Sequence, residues 1–387
     1  MKSPMKATLI AELWNQMVAV MRMEIRKSFF SKRSLWIYLL ALAPAFLLFI
    51  NSFYAARENR RLTRIAAEHP IPRGALLTLR PNMSVDEVVA RLGEPYEKNS
   101  RMIWAGPPPR NVRRGQPQAP STPEQNRPQQ RERLIYRYTD GETDAIIWFM
   151  DGKMMSLNRR VSQSLANILI VFASQFQLYF VRLAIFFGCA GVFTNLFRGE
   201  LLDKSLHFYL LAPVPRPILV LGKYLAGVFA TSVIFSLSTA LQFAAMLRGY
   251  DSAAVQTYLQ NGGWDHVFSY MSVAALACVG YGSIFLAAGL ITSNPTVPAA
   301  FMLIWESVNA FMPGTLKLAS VLFYLQSLCP IAPSPDRGMP PFLRALLSPA
   351  EPTSVLTSIA AIAGVALLLL FVGSLKANKL EINYSAD

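Results

Sequence analysis

Six stretches of this 387-residue chain are apolar for the length of a bilayer crossing, and no other feature restricts the fold as strongly. A hydrocarbon core about 30 Å thick takes roughly 20 mostly apolar residues per helix. Inside it every backbone N–H and C=O must be paired within the protein, so apolar stretches of this length span as helices. The spans are read at residues 35–55, 165–197, 219–247, 267–292, 297–328 and 353–375. The second exceeds one crossing, so its membrane portion starts near Ile168 or Phe176. The fifth is interrupted by Pro313-Gly314, which predicts a span followed by a broken or re-entrant piece. With only 16% charged residues, the composition agrees with an all-α polytopic membrane protein of six transmembrane helices.

Lys and Arg in short loops set the orientation of such a chain. Arg22, Arg26, Lys27, Lys32 and Arg33 precede the first span; Arg198, Lys204, Arg216 and Lys223 lie between the second and third; Lys376 and Lys379 follow the last. With six spans all three groups fall on one side, which makes both termini cytoplasmic (1–34 and 376–387). It exports the segment 56–164 and the loops 248–266 and 329–352. The N-terminal residues Leu13, Met17, Val20, Met21 and Ile25 recur at helical spacing, with Glu24, Arg22, Arg26 and Lys27 elsewhere around the wheel. That pattern predicts an amphipathic helix lying at the inner interface, with membrane lipid as its partner. The net charge of +14 is divided between these cytoplasmic edges and the exported segment.

Residues 56–164 read as a small α+β domain. Ser84 and Glu87 form a capping box ahead of Val85, Val88, Val89 and Leu92, and Gly93-Glu94-Pro95 stops the helix. Residues 105–133 are Pro, Gln and Arg with almost no apolar content, which predicts a disordered insert. Leu134 to Tyr138, Ala145 to Met150 and Met154 to Leu157, separated by Asp140-Gly141 and Asp151-Gly152, read as antiparallel strands. Asn82-Met83, the helix ending in Leu-Gly-x-Pro and the Trp/Tyr-rich strands resemble the small lipoprotein domain of the BamE (SmpA/OmlA) type. The resemblance implies a binding or spacing role outside the membrane.

The segment 198–218 carries Arg198, Glu200, Asp203, Lys204, Leu206, Pro213 and Arg216, followed by Gly222-Lys223. A polar amphipathic turn wedged between two spans must meet water, and through it a soluble partner. The order of these residues, with the N-terminal interfacial helix and six spans broken in the fifth, resembles permeases of the ABC-2 type. The resemblance implies a coupling helix at 198–218 docked on a separate ABC ATPase subunit. It also implies a dimer with a second permease copy or paralogue, a bacterial cytoplasmic (inner) membrane location, and export. No Gly-rich loop with Lys and Ser/Thr at phosphate-binding spacing occurs here, so ATP hydrolysis is expected in the partner.

Within the spans Arg182 and Glu306 are expensive in hydrocarbon and mark a transport path or gate, a buried structural pair or, for Arg182, a side chain snorkelling to the exported interface. The fourth span is rich in small residues, among them Gly280, Gly282 and Gly289, which predicts close helix packing or a dimer seam. Enzymatic chemistry is not expected: His69, His207 and His266 are scattered, and no metal-ligand or nucleophile–base spacing occurs. Neither a cofactor nor a metal is called for. Nucleic acid is not an expected partner, because the basic run Arg110 to Arg114 sits in the exported Pro-rich tract. Cys189, Cys278 and Cys329 form no disulfide framework. The competing reading is a membrane-anchored envelope assembly or sensory protein acting through its exported domain.

Overall fold

A computed structural model of the chain describes residues 4–30, 34–72, 74–105, 129–141, 143–161, 164–202, 214–292, 294–334, 339–347 and 353–378. The fold divides into two compact units, one of Met1–Ser52 with Leu165–Asp387 and one of Phe53–Ser164. The chain begins with helices α1 (Pro4–Phe30) and α2 (Ser34–Glu68). The expected first span ends at residue 55, yet α2 continues to Glu68. Residues 56–68 contain no Gly or Pro and several strong helix formers, and Pro70 and Pro72 follow the stop.

The unit Phe53–Ser164 holds helix α3 (Val85–Leu92) and strands β1 (Glu97–Ala105), β2 (Gln129–Thr139), β3 (Thr143–Met150) and β4 (Lys153–Val161). The strands form one antiparallel meander in the order β1-β2-β3-β4. The capping box is present in both directions: Glu87 N–H donates to Ser84 Oγ at 3.2 Å, and Ser84 N–H donates to Glu87 Oε2 at 3.1 Å. Asp151 and Gly152 take φ values of 53° and 76°, the two positive angles of a tight hairpin turn, and so join β3 to β4. One sheet face, with Tyr136, Tyr138, Ala145, Ile147 and Phe149, buries Val88 and Leu92 of α3. The insert expected at 105–133 is shorter than its composition suggested: Ala105 closes β1 and Gln129 to Arg133 open β2. Residues 106–128 lie outside the described residues.

The other unit continues with α4 (Leu165–Gln175), a π-helical stretch Phe176–Ile185, α5 (Phe186–Phe193) and α6 (Asn195–Leu202). It goes on with α7 (Arg216–Leu247), α8 (Ser252–Tyr258), α9 (Trp264–Ile291), α10 (Thr296–Val308), α11 (Gly314–Lys317), α12 (Val321–Ser327), α13 (Pro341–Leu346) and α14 (Val355–Asn378). Among the described residues five helical stretches are long and apolar enough to cross a membrane: Leu35–Glu68, Leu165–Phe197, Arg216–Leu247, Ser252–Ile291 and Val355–Asn378. The chain is a multi-pass helical membrane protein with a small antiparallel sheet unit. Residues 297–328, expected as the fifth span followed by a broken or re-entrant piece, form α10, a 3₁₀ turn at Asn309–Phe311, α11 and α12, with the interruption at Pro313, which cannot continue a helix. Most of the expected loop 248–266 is helical. Asp251 caps α8 by accepting from Ala253 N–H, and the chain bends at Asn261 and Gly262 before α9.

The core of this unit is aromatic. Phe172 lies 4.3 Å from Phe243 and 5.0 Å from Tyr270 between ring centroids, and Phe176 lies 4.7 Å from Tyr270. Pro44 lies inside α2 and has no N–H to give to its ladder, and side chains of neighbouring helices bond carbonyls around it. Ser238 Oγ of α7 donates to Ala41 O at 2.5 Å, and Gln175 Nε2 donates to Pro44 O at 3.2 Å. These bonds replace what water would supply outside a membrane. The small residues of α9 serve packing within the chain: a Cβ at Gly282 would lie 2.5 Å from Phe193, and one at Gly280 would lie 2.8 Å from Val321.

Candidate functional site

Among the described residues of the helical unit, two clusters are built around a buried carboxylate, each at a helix end or break. The first joins α1, α6 and α7. Gly222 leaves room for α1, whose Val20 Cγ1 and Met17 O would stand 3.1 and 3.3 Å from a Cβ at that position. The adjacent Lys223 is fully buried, and its Nζ donates to Glu24 Oε1 of α1 at 2.6 Å and to Leu196 O of α6 at 3.0 Å. The ammonium also lies 5.3 Å from the centre of the Phe197 ring. Met17, Val20 and Glu24 form one buried face of α1, at positions i, i+3 and i+7. Sequence reading put Glu24 on the polar side of the wheel and counted Lys223 with the docking loop, at the entry to the third span. The structure puts both inside, because a paired charge can occupy an otherwise apolar face.

Arg216 opens α7 two turns before Lys223. Its Nη1 donates to Ala377 O at 3.2 Å and Asn378 O at 2.6 Å, meeting the carbonyls left open at the end of α14. Helices α1, α6, α7 and α14 therefore meet at one end of the unit through Lys223 and Arg216. Arg198 and Glu200 fall within α6, where the backbone alone is described. Asp203, Lys204, Leu206 and Pro213 lie outside the described residues.

The second place is the break between α10 and α12. Glu306 is 3% exposed, and its Oε2 accepts from Ser320 Oγ at 2.6 Å and Leu322 N–H at 3.2 Å. Its Oε1 accepts from Val321 N–H at 3.1 Å. Ser320 Oγ in turn accepts from Asn309 Nδ2 at 3.0 Å and Phe323 N–H at 3.3 Å. A helix that starts inside an apolar environment has orphan N–H groups, and this carboxylate answers them. Arg182 sits in the π-helical stretch, 8% exposed, with Nη2 donating to Leu346 O of α13 at 3.1 Å. Among the described residues no ion pair joins Arg182 to Glu306, so the pairing considered from the sequence is replaced by separate partners.

Sequence reasoning missed the Glu24–Lys223 link because its halves are 199 positions apart. Its one local trace is a Gly-Lys pair entering an apolar helix. Among the described residues no group of three or more His, Cys, Asp or Glu is placed to hold a metal ion. In the sheet unit Arg137 donates to Glu97 Oε2 at 3.0 Å and to Asp144 Oδ2 at 3.1 Å, and Tyr96 OH donates to Asp144 Oδ1 at 2.8 Å. Burial, and then the bond to Asp144 and its charge, push the Tyr96 phenol well above the usual tyrosine range. The cluster pairs its charges with one another, while Arg137 Nε is buried without a hydrogen-bond partner. No protein-family model matches the chain, and no curated protein matches it.

Proposed function

We propose that this chain is the membrane-spanning permease subunit of an ATP-driven ABC exporter, coupled to a separate ATPase subunit and paired with a second permease copy or paralogue. The observation that carries the reading is the buried junction of Lys223 with Glu24 and Leu196 O. It ties the N-terminal helix and α7 to α6, which leads directly into the segment 203–213. A push on that segment from a soluble motor would act on a rigid polar joint rather than on a free loop, and tilt the helices that continue from it. The bond from Arg216 to the end of α14 extends the same joint to the last span. The end that carries this joint is the cytoplasmic one in this reading, and the membrane is the bacterial inner membrane. The multi-pass helical build and the absence of a phosphate-binding loop from the sequence agree with a subunit that is driven from outside.

Affinity purification from native membranes tests the reading. An ABC ATPase should be recovered with the tagged chain, and Glu200→Ala should lower both its recovery and its rate of ATP hydrolysis. Recovery of envelope proteins with no ATPase would contradict the proposal and favour the assembly role.

A further inference from the structure

Among the described residues Arg182 is a buried charge that no carboxylate neutralises by contact. Its Nη2 has a single acceptor, the Leu346 carbonyl, whereas Nε and Nη1 are buried without a hydrogen-bond partner. Those two nitrogens hold three of the five N–H bonds of a guanidinium. Tyr281 is fully buried, and its hydroxyl is likewise without a partner. Tyr281 and Glu306 both lie within electrostatic range of the guanidinium. Glu306 does not fill the gap, because its two oxygens are taken by Ser320, Val321 and Leu322 at the start of α12. The stretch that carries Arg182 is π-helical from Phe176 to Ile185, a rare register that occurs frequently at functional sites.

A cation without a carboxylate in contact, and with unpaired donors, is costly within an apolar span, and natural proteins rarely leave one so. Water would satisfy the N–H groups but not the charge. A carboxylate or phosphate group meets both needs, through charge-assisted hydrogen bonds strengthened by the low-dielectric surroundings. We propose that Arg182 and Tyr281 form a binding site for an oxyanion, a carboxylate or phosphate group carried by a solute or by a lipid. The proposal rests on the permease reading only for the ligand being cargo. Binding is measured on this chain without an ATPase, so the two fail separately.

The test uses the purified full chain in phosphatidylcholine nanodiscs, titrated with radiolabelled octanoate and with radiolabelled inorganic phosphate. A second arm measures retention of phosphatidylglycerol against phosphatidylcholine. Saturable binding in at least one arm is expected, weakened about tenfold or more by Arg182→Gln and by a smaller factor by Tyr281→Phe, as loss of charge-assisted and neutral bonds respectively. Octanoate or phosphate binding assigns a solute, and selective phosphatidylglycerol retention alone assigns a lipid headgroup. If Arg182→Gln does not fold, Arg182→Lys takes its place, since it keeps the charge and loses the planar fork. Absence of saturable binding in every arm, or equal affinity in the parent and the Arg182 variant, overturns the proposal.

Discussion

In the sheet unit Tyr136, Ile147, Phe149 and Val88 bury apolar surface against one another, while Arg137, Glu97 and Asp144 pair across strands at the other face. The helical unit is arranged the other way round. Many of its exposed side chains are large and apolar, and Lys223, Glu24, Arg182 and Glu306 are inside. The contrast follows from solvent. A sheet unit in water can leave Arg137 and Glu97 partly exposed, whereas the helical unit turns these four charges inward. Lys223 and Glu306 thus mark junctions at helix ends and breaks, whereas Arg137 in the sheet unit links neighbouring strands.

Removing one half of a buried pair tests that contrast most severely. Lys223→Met leaves Glu24 buried without its close partner and should cost about 3–5 kcal/mol, whereas Glu24→Leu with Lys223→Met should recover much of it. Thermal unfolding in detergent reads both, and a Lys223→Met melt equal to the parent would remove the joint from the account. Next in size is Glu306→Ala, which strands the hydroxyl of Ser320 and the N–H groups of Val321 and Leu322. A loss of about 2–4 kcal/mol is expected by the same assay, with partial recovery in Glu306→Gln. In the sheet unit Ser84→Ala removes an exposed cap and should cost only about 1 kcal/mol. A larger effect there would show that the cap does more than close a helix.

A pH dependence is also expected in the sheet unit. The phenols of Tyr96 and Tyr138 are raised, chiefly by burial, so the folded state keeps protons that the unfolded chain gives up. That stability is whole below the ordinary tyrosine value of about 10 and is lost as pH climbs through the folded values. Near-ultraviolet circular dichroism should therefore show weakening above about pH 10, and Tyr96→Phe should flatten the slope.

Local chemistry was legible in the sequence where one short segment carries the whole signal. The Ser84–Glu87 box, the Asp151-Gly152 turn and the break at Pro313 each depend on a few consecutive residues. Strand β1 was not legible: Glu97 to Arg101 are polar and exposed at a sheet edge, so no alternation marks them. Helix α8 escaped notice although Asp251 supplies its cap, because its exposed residues carry no apolar stripe. The partners of the candidate site are another matter. Glu24 with Lys223 is a contact between distant segments, and Arg182 meets a backbone carbonyl that no side-chain pattern announces.

The central claim is that a soluble motor acts on the segment between α6 and α7. The most direct measurement is the accessibility of a Ser205→Cys variant, made with Cys329→Ser, to a membrane-impermeant maleimide. The account predicts labelling in inside-out vesicles, none in intact cells, and protection when the ATPase is bound. Labelling in intact cells would contradict it.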